Sequence, residues 1–310
     1  MKSLKSFVLP MAMIIGGAFY EFFDKMAVAI PYFIFTMLLL TFAKLSPRDV
    51  RPHRLHVWLL LIQLLGGVVV YAALFWIHPA IGEGAFACVF APTAMAAAVI
   101  TGMLGGSVAF LTTYVFLSSI ATALTAPFFF SFIGVQVDMP FMESFLTVCG
   151  KVMPLLVLPL VIAWFFRFCI PPMHRMVLKI GSVTFYLWAV ALTSITGRTV
   201  KYIVSQENPE IWVEVAMAGI GLVICLAQFK GGKYLGSLYG ERIAAGQAMG
   251  QKNTILAIWL SQLYLNPIAS IAPASYVLWQ NIVNSYQLYR KNKREKESLQ
   301  KTFAEVEKKN

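Results

Sequence analysis

Long apolar stretches dominate the chain. Ten of them approach the roughly 20 residues that a helix needs to cross a hydrocarbon core of about 30 Å. They are 5–22, 26–44, 55–77, 84–105, 107–133, 152–171, 176–197, 210–229, 243–265 and 267–289. Turn residues or charges separate most of them, and the connections are too short to hold an inserted soluble domain. The first stretch follows Lys2 and Lys5, as a signal peptide would. No small-residue cleavage site follows it and a second span comes at once, so it reads as a helix that stays. The segment 138–150 (DMPFMESFLTVCG) reads as an amphipathic interfacial helix ahead of the sixth span.

Composition agrees. Charged residues make up 13% of the chain and hydrophobic ones 59%, with a mean hydropathy of +0.72. A soluble domain carries roughly 25% charge. A cytosolic enzyme, a disordered chain and a disulfide-built module are excluded, and an all-α polytopic membrane protein remains. The cysteines Cys88, Cys149, Cys169 and Cys225 lie in or beside apolar stretches without close CxxC spacing, so they read as small packing residues.

The net charge of +11 would suit nucleic acid only on a soluble fold with a basic face. Here the basic residues sort by side of the membrane. With the N-terminus inside, twenty Lys and Arg fall on the inner side and four on the outer. That is the positive-inside bias of a bacterial-type inner membrane protein with both termini cytoplasmic. Arg48 belongs to the inner set, and so does the tail 290–310, which reads as a solvated basic helix touching anionic lipid headgroups. No nucleic-acid partner is expected.

Ten spans divide into five and five, 1–135 and 136–289. An odd-numbered unit re-enters the membrane in the opposite sense when repeated, so the pattern predicts two inverted repeats, as in secondary transporters. Matching spans carry interruptions. The fourth has Pro92 near its middle; the ninth has Gly246, Gly250 and the polar run Gln251-Lys252-Asn253-Thr254. Proline removes a helix hydrogen bond and glycine weakens the ladder. At that depth, freed backbone groups must be buried in protein or line a wet cavity. Kinking for helix packing is the plain alternative.

Lys252 lies ten residues past Arg242, about 15 Å along a helix and so near the bilayer centre. Its stem is too short to reach water, and a central charge costs several kcal/mol unless it is paired or solvated. No Asp or Glu falls in the middle of an expected span. The ammonium is left with Gln63, Gln251, Asn253 and Thr93, with half-helix carbonyl ends, or with an anion that comes and goes. A structural lysine and a substrate-binding one both fit. No HExxH, catalytic triad or Walker loop appears, so neither enzyme activity, nor a metal, nor a cofactor is expected.

Spans nine and ten (Gly246 to Ser285) carry Ala248-Met249-Gly250-Gln251-Lys252-Asn253, then Pro273 and Trp279-Gln280-Asn281. Together with Pro92, Gly105-Gly106-Ser107 and Gln63, this resembles the bile acid:sodium symporter family. The resemblance implies a panel of spans 1, 2, 6 and 7 and a core of spans 3–5 and 8–10, in which helices four and nine cross at their breaks. It also implies sodium-coupled uptake of organic anions such as bile acids, pantoate or small keto acids. The chain departs from the family where sodium would bind. The ninth-helix glutamate is Ala248, its glutamine is Lys252, and the remaining ligand positions fall at Ala97, Ala98, Leu111 and Val115. A hard cation wants an oxygen cage.

The expectation is therefore a secondary transporter of an organic anion, working by alternating access without sodium, with Lys252 in place of the bound cation. Gln251, Asn253, Thr254 and Thr93 would add hydrogen bonds, and Asn281 and Asn284 would line the same cavity. Protons through Lys252, or no coupling ion, are both open. Two rivals stand beside it: a sodium symporter with a relocated site, and a non-transporting membrane sensor or scaffold.

Overall fold

A computed structural model describes residues 2–46, 50–134 and 140–307. Arg48, and Asp138 at the start of the expected interfacial helix, lie outside the described residues. The elements are α1 (Lys2–Ala18), α2 (Tyr20–Met26), α3 (Ile30–Phe42), α4 (Arg54–Phe75), α5 (Pro79–Phe90), α6 (Ala96–Leu104), α7 (Val108–Ile133), α8 (Phe141–Cys169), α9 (Pro171–Lys179), α10 (Val183–Val204), α11 (Ile211–Ser237), α12 (Arg242–Gly250), α13 (Thr254–Tyr264) and α14 (Ile271–Glu307). Among the described residues the only β-type pairing is one isolated bridge.

Among the described residues, five continuous segments are long and apolar enough to cross a membrane: Tyr20–Phe42, α4, α7, α8 and α11. The bent pair α9 and α10 makes a sixth if it is taken as one span. The ten expected spans are therefore not all continuous helices. The fourth and ninth are each cut in two, into α5 and α6 and into α12 and α13, and no half is long enough to cross alone. The last runs unbroken into the charged tail as one 37-residue helix. The first boundary also shifts: the chain turns at Phe19 and restarts as α2, which carries Glu21, Asp24 and Lys25.

Two further expectations change. The interfacial helix before span six is not separate, because α8 is one 29-residue helix from Phe141 to Cys169 that continues through Pro154 and Pro159. Breaking it in apolar surroundings would leave more backbone groups unsatisfied than the two prolines do. Cys88 and Cys225 are buried packing residues, but Cys169 is exposed at the end of α8.

The outer surface is apolar. Helix α4 exposes Trp58, Leu61, Leu65 and Val69 at helical spacing, and α11 exposes Trp212, Val215 and Val223. A soluble monomer does not leave such continuous apolar faces in water. Inside, α4 packs on α5 and α11 on α12. Helices α1 and α2 pack on α10, and α3 packs on α8 and α10. Two histidines start helices. The His53 and His78 side chains accept from the backbone N–H of Leu55 and Ala80, capping α4 and α5.

Close approach explains particular glycines. Gly246 lies inside α12 rather than at a break, and the stem of Lys233 occupies the space its side chain would take. Gly250, the last residue of α12, has the Phe229 ring seated against it, with no room for a β-carbon. Gly250→Ala is expected to cost about 1–3 kcal/mol by overpacking, read as a lower melting temperature in detergent. Phe229→Ala in the same chain should recover part of the loss, whereas unchanged melting of the single variant would contradict this contact.

Candidate functional site

Helices α5 and α12 run toward each other from opposite ends of the bundle and stop near its middle. Pro92 disfavours helical geometry at Ala91, which is extended, as is Gln251 at the end of α12. The two extended segments cross and pair through Thr93 and Lys252 as one antiparallel bridge. Ala94 N–H donates to Gln251 O (3.0 Å) and Asn253 N–H to Pro92 O (2.7 Å). The Thr93 hydroxyl donates to Ala248 O. Backbone groups freed by the two breaks thus satisfy one another, as burial requires.

Lys252 is 1% exposed. Its ammonium Nζ donates to Val89 O (2.8 Å) and Ala91 O (3.0 Å), and its backbone N–H donates to Gln280 Oε1 (2.9 Å). Val89 and Ala91 lie at the C-terminal end of α5, where a helix leaves carbonyls unpaired and carries about half a negative charge. The C-terminal end of α12 meets it there. The ammonium therefore sits where two negative helix ends converge, and among the described residues it forms no ion pair with a carboxylate.

The other expected residues divide. Gln63 is fully buried: its amide donates to Phe90 O (3.0 Å) and Thr122 Oγ1 (3.0 Å) and accepts from the Tyr114 hydroxyl (2.9 Å). Asn284 donates to Gln251 Oε1 and accepts from Gln247 Nε2 (2.9 Å). Asn253 caps α13, and Thr254 is its buried first residue. Asn281 does not join the group, because its amide donates to Val277 O of its own helix (2.7 Å).

Sequence reasoning missed several members. Gln228 donates to Cys88 O (3.2 Å) and to the Tyr276 hydroxyl (3.3 Å), which itself donates to Gly250 O (2.9 Å). The pair Gln228 and Tyr276 on α11 and α14 mirrors Gln63 and Tyr114 on α4 and α7. Gln63 to Gln228, Tyr114 to Tyr276 and Thr93 to Lys252 are 165, 162 and 159 residues apart, an offset that the sequence offered as a signal. Glu83 was also missed. The sequence reading began the span one residue after it, yet it lies inside α5 at 3% exposure and accepts from Asn266 N–H (2.7 Å). Pro79 preceded by a capping His78 marks the true helix start.

Beside Pro92 lies a small space of about 10 Å³, lined by Leu38, Phe42, Pro92, Ser119, Leu156 and Leu256, barely room for one water. A larger cleft of about 180 Å³ opens at the start of α5, lined by His78, Gln206, Glu210, Glu214 and Asn266 among others. Ala97, Leu111, Val115 and Ala248 pack together in one apolar cluster with Tyr114 and Met249. Among the described residues no three His, Cys, Asp or Glu side chains are grouped to hold a metal.

The helix lengths, hydropathy and apolar outer surface make this a multi-pass α-helical membrane protein. No known family model matches the chain, and no curated protein matches it.

Two measurements check this geometry. Lys252→Met removes the donor from two buried helix-end carbonyls, each costing about 1–3 kcal/mol when unpaired, so a clearly lowered melting temperature is expected. Tyr114→Phe and Tyr276→Phe should each cost about 1 kcal/mol, and their effects should add in the double variant because the two hydroxyls share no partner.

Proposed function

We propose that the protein is a secondary transporter of an organic anion, built as two inverted five-helix repeats and working by alternating access without bound sodium. The observation carrying this reading is the Lys252 ammonium held on Val89 O and Ala91 O where two broken helices cross. In this reading α1, α2–α3, α8 and α9–α10 form the panel, and the remaining helices form the core. The broken pairs count as spans four and nine, giving ten in all with both termini in the cytoplasm. The matched Gln–Tyr braces support the repeat.

Half-helix N-termini favour negative charge. In this reading the starts of α6 and α13 face the seam, whose small space is lined by Pro92, Ser119 and Leu256 on one side and Leu38, Phe42 and Leu156 on the other. An anion would enter when this seam opens, with its charge at those N-termini and its body against the apolar side chains. Lys252 then acts on cargo by holding the crossing together, rather than by touching it.

The apolar cluster of Ala97, Leu111, Val115 and Ala248 supports independence from sodium, because these positions resemble ligand positions of the bile acid:sodium symporter family and offer no oxygen cage. A sodium site relocated to backbone carbonyls is disfavoured, since the ammonium already occupies two of those at the crossing. The close packing of the crossing supports a second reading, a membrane sensor or scaffold that does not transport.

Reconstitution into vesicles tests the proposal. Uptake of carboxylates or sulfonates should be equal in sodium and in potassium, and Lys252→Ala should lose at least tenfold in rate. Uptake requiring sodium would overturn the tethered-cation mechanism; specific binding without uptake would favour the sensor. Lys252→Gln should make melting sodium-sensitive, with added sodium raising it, while the wild-type chain should not respond.

A further inference from the structure

A polar stripe descends the interior of the core, away from the seam. On α14, Gln280, Asn284, Gln287 and Lys291 recur at intervals of four, three and four residues, one face of a helix. Gln280 accepts from Lys252 N–H at the crossing, and Lys291 Nζ donates to Met103 O at the end of α6. The stripe thus runs from the middle of the bundle to the end that carries the tail. Opposite it on α12, Gln247 donates to Asn284, which donates to Gln251.

This ladder of amides has open ends. Gln247 Oε1, Gln287 Nε2 and Thr101 Oγ1 are buried and have no hydrogen-bond partner among the described residues. Gln247 and Thr101 are both 0% exposed. The three come from α12, α14 and α6, and neighbouring contacts place them at similar depth. Gly106 is wedged between Thr101 and Ile243, one turn before Gln247. Gln287 lies one turn before Lys291, whose partner Met103 is two residues past Thr101. The set holds one acceptor, one amide donor and one hydroxyl that can do either. Water is the ligand that satisfies all three together, since it accepts from the amide and donates to the carbonyl and hydroxyl oxygens.

We propose that the space between α6, α12 and α14 is a hydrated passage, joining the crossing to the solvent on the tail side of the membrane. It is separate from the seam where cargo would sit, and it stands whether or not the protein transports. It gives the buried segment 251–253 a route by which water, and a proton carried on water, reaches the middle of the bilayer from one side only.

Two measurements decide. Thr101→Val keeps the shape and removes only the hydroxyl. If the hydroxyl holds water, the melting temperature should fall by about 2 °C or more, and Thr101→Ser should keep most of the stability. A dry site would instead gain or hold stability on losing an unpaired hydroxyl, and either result would overturn the proposal. In a Cys149→Ser, Cys169→Ser background, Thr101→Cys in sealed vesicles should be blocked by silver ion added on the tail side and not by silver added on the other. The readout is thiol labelling after denaturation. Protection from neither side, or from the opposite side, would also overturn it.

Discussion

Two helix C-termini aimed at each other in an apolar slab repel, and each carries carbonyls with nothing to bind. The crossing of α5 and α12 has this geometry, and the Lys252 ammonium meets both problems at once. It is a unit charge set against two partial negative ends, and it donates to Val89 O and Ala91 O. In a medium of low polarity such charge-assisted bonds are strong and the unpaired alternative is costly. A diffusible cation could fill the same role, but it could also leave. A covalently attached one cannot.

That attachment shapes what can move. The segment after α12 is tied to the end of α5 through the lysine, through the Thr93–Lys252 bridge and through Thr93 to Ala248. Gln63 with Tyr114, and Gln228 with Tyr276, brace the broken helices to their neighbours from either side. Helices α4–α7 and α11–α14 are thus tied together around the crossing. At the seam against α3 and α8, apolar side chains meet around a small gap.

Much of the scaffold was legible in the sequence because burial in lipid leaves a strong mark. Apolar stretches and the breaks near Pro92 and Gly250 both follow from the cost of polar groups in hydrocarbon, which acts residue by residue. Lys252 stood out for the same reason. Helix ends were less legible: the signal for α5 was a capping histidine and a proline, and overlooking it hid Glu83. Gly246 and Asn281 were misjudged because their neighbours, Lys233 on another helix and Val277 one turn back, decide what they do.

Local chemistry in the chain thus determined that this is a membrane protein, where its broken helices fall, and that a lysine lies at one of the breaks. It did not determine what the lysine faces. Hydrogen bonding is directional and short-ranged, so only the packed arrangement could set the ammonium on two carbonyls some 160 residues away, gather Ala97, Leu111, Val115 and Ala248 into one apolar cluster, and line up amides from α12 and α14 beneath the crossing.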